Sequence, residues 1–278
     1  MKECEIQRKI VSVFTECEVH SFPVDCKELL AHYGYKIYSY AELRRKSKAL
    51  YDMCLAYSED AFRYSTGKII AYNSDKPATR IHFSLAHELG HHVLGHQGTA
   101  ETFSDGPDAD QKKKESRRFE IEANYFASHL LAPRLVMYYA DCRSAWDVSD
   151  IFQLSEQAAR IAYDDYLDWH RKFLCRNRQP DQAEQDMYRH FYQKEQGCFV
   201  WSIRKCGICG KTIYNSRRDH YWYCGGFPEI PENEYVSFLP PSPKPEPEFD
   251  YTPPLSPYDD ENMRTFRRWE EQWLTPPD

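Results

Sequence analysis

No run of apolar residues in this chain comes near the roughly 20 needed to cross a bilayer, so a membrane-spanning helix is excluded. The opening residues MKECEIQRKIVSVFTECEVHS interleave charge with apolar positions and hold no uninterrupted apolar core. They do not read as an export signal, and a cytoplasmic protein is expected. A surplus of positive charge is missing as well. Lys+Arg number 36 against 43 for Asp+Glu, a formal net charge of -7, which argues against a phosphate-binding surface and hence against a nucleic-acid partner. No internal repeat is visible. What is there has the balance of a soluble globular protein, 41% hydrophobic and 28% charged. The 278 residues leave room for one domain of ordinary size with an appendage, or for two small ones.

Ten cysteines would suit a secreted disulfide scaffold, but without an export signal they read as reduced thiols and metal ligands. Cys4, Cys17, Cys26, Cys54, Cys142 and Cys175 are scattered and read as structural.

Helical spacing of Ile6, Ile10, Val13 and Phe14 marks residues 1–19, and a second helix over 24–33 ends at Gly34. YKIYSY (35–40) and GKIIAYN (67–73) are rich in β-branched and aromatic residues between turn formers, so each predicts a short strand. Pro77 can open a helix that runs to about Leu94, with Gly95 as its stop. Residues 97–115 are polar and aperiodic and predict a surface loop. A strong helix over 116–131 stops before Pro133, and 145–173 is helical again. The domain reading that follows is 1–175 as the main domain, 176–197 as a linker helix, 198–227 as a cysteine module and 228–278 as a proline-rich tail, extended until something binds it.

The chemistry concentrates in SLAHELGHHVLGH. Residues four apart on a helix share a face, so His87 and His91 can reach one metal ion. Zinc suits imidazole ligands. Glu88 lies about 100° further round, close to the metal without entering its ligand set, where a base that activates the metal's water belongs. Phe83, Leu85, Ala86, Leu89, Val93 and Leu94 make the helix largely apolar and hence buried, and buried imidazoles and carboxylates need partners. A catalytic zinc takes three protein ligands and keeps one position open. FEIEANYFASHLLAP (119–133) supplies the third. Glu120 flanks the small residues Ala123 and Ala127, where the two helices can approach, and helical phase favours it over Glu122 on the other margin. His92 and His96 do not share the His87–His91 face and read as residues outside the ligand set.

The pair RIHFSLAHELGHHVLGH and EIEANYFASHLLAP resembles the ImmA/IrrE family of metallopeptidases, and the likeness extends upstream to GKIIAYN and spans about residues 20–170. Ala132 departs from the family, which typically has methionine there, and His82 stands at a position that is usually less polar. The resemblance implies His87, His91 and Glu120 as ligands and Glu88 as base. It implies an α+β, zincin-like peptidase domain, mostly helical with a small sheet, whose edge strand receives substrate as an added strand. GKIIAYN is the candidate edge. It also implies zinc-dependent hydrolysis of a peptide bond in a regulatory protein, typically a helix-turn-helix repressor, and a bacterial or mobile-element source. Tyr125, His129, Tyr138 and Tyr139 offer oxyanion donors, though each also fits a core role. The alternative is a non-catalytic, metal-containing regulatory protein that acts by association; an intact Glu88 favours the enzyme.

WDVSDIFQLSEQAARIAYDDYLDWH (146–170) has the rhythm of a helix-turn-helix, with Leu154-Ser155 as turn and cap. Asp164 and Asp165 would be repelled by phosphates, so a packing role is expected. Further on, Cys206-Gly207-Ile208-Cys209 is a knuckle that can grip zinc with two thiolates, and His220 and Cys224 can complete a structural site. Cys198 can stand in for His220. This predicts a zinc-ribbon-like module with Trp201, Tyr214, Tyr221, Trp222 and Tyr223 as its small core.

Overall fold

The computed structural model describes residues 1–64, 67–96, 109–175, 179–207 and 209–217. The chain divides into two compact units, Met1–Ser202 and Ile203–Asp278.

In the first unit, α1 (Glu3–Glu16) buries the predicted stripe of Ile6, Ile10, Val13 and Phe14. Asp25 caps α2 (Cys26–His32), its carboxylate accepting from the backbone N–H groups of Lys27 and Glu28 at 2.8 and 3.3 Å. Gly34 turns at φ 81 into β1 (Lys36–Ser39). Ser39 caps α3 (Tyr40–Lys46) and Ser47 caps α4 (Lys48–Tyr57), two helices too short to announce themselves by apolar period. β2 (Ala61–Tyr64) and β3 (Ile69–Tyr72) complete a three-stranded sheet of order β1-β3-β2.

β3 runs parallel to β1 and antiparallel to β2, with Ile70 opposite Ile37 on one side and Arg63 on the other. The expectation that GKIIAYN is the sheet's edge is therefore corrected: β3 is the central strand, and β2 is an outer one. Its apolar run explains this, because Ile70 and Ala71 are both fully buried, as befits a strand covered on both faces. Ala71 joins Tyr40, Leu43 and Cys54 in a core cluster under α3 and α4.

α5 (Ala78–Val93) packs on β2, β3 and α2, and lies along α6 (Ala109–Leu131). Of the loop expected over 97–115, residues 97–108 lie outside the described ones and 109–115 are helical. Alanine, glutamine, lysine and glutamate are good helix formers, and a polar run of them shows no apolar period in the sequence. α7 (Arg134–Tyr139) and α8 (Ala145–Phe152) follow, and Ser155 caps α9 (Glu156–Cys175) by accepting from the Ala158 N–H at 3.3 Å. Asp165 on α9 turns to Arg134, accepting from Nε at 2.6 Å and Nη2 at 2.7 Å, and so joins α9 to α7.

α10 (Gln182–Phe191), expected as a linker, instead docks on α1 and α7 and buries Met187, Tyr188 and Phe191. Its Phe191 ring meets Phe14 and Phe22 at centroid distances of 5.5 Å. β4 (Tyr192–Gln193) and β5 (Cys198–Phe199) pair behind it, and Trp201 is buried with its carbonyl accepting from the Phe22 N–H at 2.9 Å. This unit thus runs to Ser202, not to 175, and takes Cys198 and Trp201 out of the cysteine module. Such contacts join residues far apart in sequence, which no local pattern reports.

The described part of the second unit is a hairpin, β6 (Ile203–Lys205) and β7 (Thr212–Tyr214). His220, Tyr221, Trp222, Tyr223, Cys224 and the proline-rich tail lie outside the described residues. Among those described, no helix is long and apolar enough to cross a membrane.

Candidate metal centre

α5 and α6 cross where both carry small residues. Gly90 of α5 faces Phe126, Ala123 and the turn between them, while Ala123 and Ala127 of α6 are fully buried. That close approach brings Glu120 over the first helix. Its carboxylate stands 3.2 Å from His87 Nε2 and 3.4 Å from His91 Nε2, and the two Nε2 atoms are 3.0 Å apart. Ligands that share one zinc-sized ion at about 2.0–2.1 Å sit roughly 3.3 Å from one another in tetrahedral geometry. The three side chains fit such an ion without rearrangement, and they form the group among the described residues able to hold a metal. Glu120, favoured by helical phase, is the carboxylate in the cluster.

Glu122 is not. It is buried on the opposite margin of α6, where it takes the Nε2–H of His96 at 3.0 Å and meets the amino group of Met1. His87 Nδ1 donates to Asn124 Oδ1 at 2.9 Å, a partner that turns its Nε2 toward His91 and Glu120. His92 points away, 3.2 Å from the Tyr35 hydroxyl. His82, which had no account in sequence, meets the Val24 carbonyl at 2.8 Å and ties α5 to the start of α2.

Hydrogen bonds from His87 and His91 hold Glu120 well below the usual carboxylate range, so it is an anion ready to ligate. Burial opposes charge on both imidazoles. At His87 the carboxylates of Glu120 and Glu88 outweigh it and raise the pKa, whereas at His91 burial prevails and lowers it. Glu88 lies in the wall beside them. Burial pushes its carboxyl up to about 7, against the pull of His87 and of Arg63, whose Nε is 3.8 Å away.

These groups line a cleft of about 500 Å³ together with Phe62, Arg63, Arg80, Phe83, Ser84 and Asn124. Residues 61–63 of β2 border it, so the outer strand of the sheet runs past the metal site. Arg63 reaches across with Nη2 on the His96 carbonyl at 3.1 Å. None of Tyr125, His129, Tyr138 or Tyr139 lines this cleft. Tyr125 accepts from Gln7 at 3.1 Å, His129 lies 3.3 Å from Asp165, and Tyr139 stacks on Phe199 at 4.1 Å, so each serves packing. The sequence missed Arg63, a charge within a short strand that gave no sign of facing the site.

The cysteine knuckle occupies the turn between β6 and β7. The Cys206 N–H donates to the Lys211 carbonyl and the Gly210 N–H to the Cys206 carbonyl, both at 2.9 Å, with Gly210 at φ 70. Cys206 is buried and Cys209 half-buried.

No curated protein matches the chain. A peptidase family model, described as the IrrE N-terminal-like domain, matches residues 54–163, from the end of α4 into α9. The matched segment holds β2, His87, Glu88, His91 and Glu120. This match, at residues 54–163, supports the resemblance to the ImmA/IrrE family of metallopeptidases.

Proposed function

We propose that this chain is a zinc-dependent endopeptidase that cuts one peptide bond in a regulatory protein, with a helix-turn-helix repressor as the expected substrate class. The observation that supports it is the placing of the buried Glu88 carboxylate in the wall of a cleft beside His87, His91 and Glu120. A scaffold that only binds has no use for that carboxylate.

A bound zinc ion would supply Lewis-acid polarisation of the scissile carbonyl and acidify a water molecule. Glu88 takes the proton of the attacking water and returns it to the leaving amine. The raised affinity of its carboxylate for a proton, caused by burial, suits both halves of that task. Arg63, whose side chain is only 7% exposed, brings fixed positive charge to the same wall. It replaces the tyrosines and His129 as the group suited to meet developing negative charge. Substrate laid in extended form along β2 would pass the metal site, a role transferred here from β3.

A second zinc ion, structural and held by Cys206, Cys209, His220 and Cys224, belongs to the same reading. Cytoplasmic action on a protein partner, without membrane or nucleic acid, is part of it too.

Digestion of a peptide library with mass-spectrometric readout tests the activity. Wild type should cleave in a zinc-dependent manner, and Glu88→Gln should keep its zinc and lose cleavage by about a thousandfold or more. Cleavage that persists in Glu88→Gln would refute the mechanism.

A further inference from the structure

Two buried side chains beside the metal site take no part in the chemistry above. His96 is 3% exposed and Glu122 is 7% exposed. His96 lies beyond the end of α5, so its helical phase says nothing about where it points. The chain end decides that. Leu94 caps the helix, Gly95 turns at φ 74, the Gly95 N–H returns to the His92 carbonyl at 3.1 Å, and the His96 N–H returns to the His91 carbonyl at 3.0 Å. This pair of bonds is the Schellman arrangement, which needs a left-handed residue where glycine stands. The turn folds His96 back under His91, and the two Nδ1 atoms are 3.1 Å apart.

Proton placement then has one consistent solution. A His91 that offers its Nε2 lone pair to an ion carries its hydrogen on Nδ1. That hydrogen points at His96 Nδ1, which must therefore be the acceptor, so His96 carries its own hydrogen on Nε2. Glu122 Oε2 receives it at 3.0 Å. The Arg63 guanidinium holds the His96 carbonyl at 3.1 Å, and the His96 ring stacks on Phe119 at 4.3 Å, which fixes the imidazole plane.

We infer that His96 and Glu122 form a positioning relay for the metal ligand His91: Glu122 fixes the tautomer of His96, and His96 in turn fixes the tautomer and orientation of His91. His87 has a one-residue counterpart in Asn124, whereas His91 is served by a histidine from the helix end and a carboxylate from α6. The relay thereby makes metal binding depend on the turn at Gly95 and on the packing of α6. The inference rests on the peptidase reading, because it assumes an ion at His87, His91 and Glu120.

Zinc affinity of the full-length chain, taken as the binding that His87→Ala lacks and measured by chelator competition, tests it. The same proteins loaded with cobalt give a visible spectrum that reports ligand geometry. His96→Ala removes the acceptor, and affinity should fall about 10–100-fold with a changed cobalt spectrum. His96→Asn places an amide oxygen near the former Nδ1 and should recover most of the affinity and the wild-type spectrum. Glu122→Gln keeps an acceptor without the charge and should lose affinity by a smaller factor, about three- to tenfold. Melting of the metal-free proteins shows whether each variant folds; should His96→Ala fail to, the Asn and Gln variants still decide. Affinity within about twofold of wild type in both His96→Ala and Glu122→Gln would overturn the relay. An Asn variant as weak as Ala would do so too, by assigning the effect to the ring's stacking on Phe119. Those results leave the peptidase reading standing, whereas a wild type that binds no more zinc than His87→Ala removes both.

Discussion

Gly90 and Phe126 meet so closely that a Cβ at Gly90 would stand 3.0 Å from Cδ1 of the ring, and 3.2 Å from the Ala123 carbonyl oxygen. The glycine inside the His-Glu-Leu-Gly-His motif thus sets the spacing of α5 and α6. That spacing determines whether Glu120 reaches the two imidazoles.

Gly90→Ala tests this. Alanine gains about 1 kcal/mol of helix propensity over glycine. Against it stand a fully buried ring and a backbone oxygen that must both give way, and overpacking of this kind costs about 1–3 kcal/mol. The clash should win or at best cancel the gain, and α6 must shift. Zinc affinity at the His87 site should fall at least tenfold even if the metal-free protein melts near the wild-type temperature. Unchanged affinity would show that Glu120 does not depend on this contact.

The pair Arg134–Asp165 joins α7 to α9 and predicts a pH effect. Burial pushes the Asp165 carboxyl up, but the nearby His129 and the hydrogen bonds from Arg134 outweigh it and hold it below the usual carboxylate range. A group with a lowered folded pKa adds stability above its unfolded pKa of about 3.9, and loses it as pH falls from there through the folded value. Asp165→Asn should therefore cost about 1–2 kcal/mol at pH 7, a figure held down because the Asp165 side chain is 39% exposed. In urea unfolding the gap between wild type and variant should close below about pH 4. A gap independent of pH would assign the loss to shape and not to charge.

Asp25 offers a simpler stability check. Its carboxylate satisfies two N–H groups at the start of α2, the helix that packs on α5. Asp25→Ala should lower stability by about 1 kcal/mol with no change in the urea m-value. Since α2 does not line the cleft, zinc affinity should stay as it was.

What could be read from sequence here divides by the range of the interaction. His87, Glu88 and His91 follow from the period of one helix, and Glu120 over Glu122 from the phase of another; both are local geometry. The capped start of α9 at Ser155 is local too. β2 as an outer strand was not legible, because strand order depends on pairing between Arg63 and Ile70 across a turn. Nor was the docking of α10, whose Phe191 meets Phe14 from nearly the far end of the unit. His96 was hidden for a different reason. Helical phase placed it off the metal face, and the turn at Gly95 then reversed the chain and returned it to His91.

Zinc stoichiometry separates the two metal sites. If His87 and Cys206 serve different ions, the purified wild type should hold two zinc ions per chain and each of His87→Ala and Cys206→Ala should hold one. The two losses should differ in character. A catalytic ion with three protein ligands leaves the domain folded when it departs, so His87→Ala should melt within a few degrees of metal-free wild type. A structural ion contributes folding free energy directly, so Cys206→Ala should expose the segment after Ser202 to protease while Met1–Ser202 stays resistant. One zinc in the wild type, lost only in His87→Ala, would reduce the Cys206–Cys209 turn to a hydrogen-bonded hairpin and leave the peptidase site intact. One zinc lost only in Cys206→Ala would do the reverse, and the chain would then be a binding protein built on a peptidase fold.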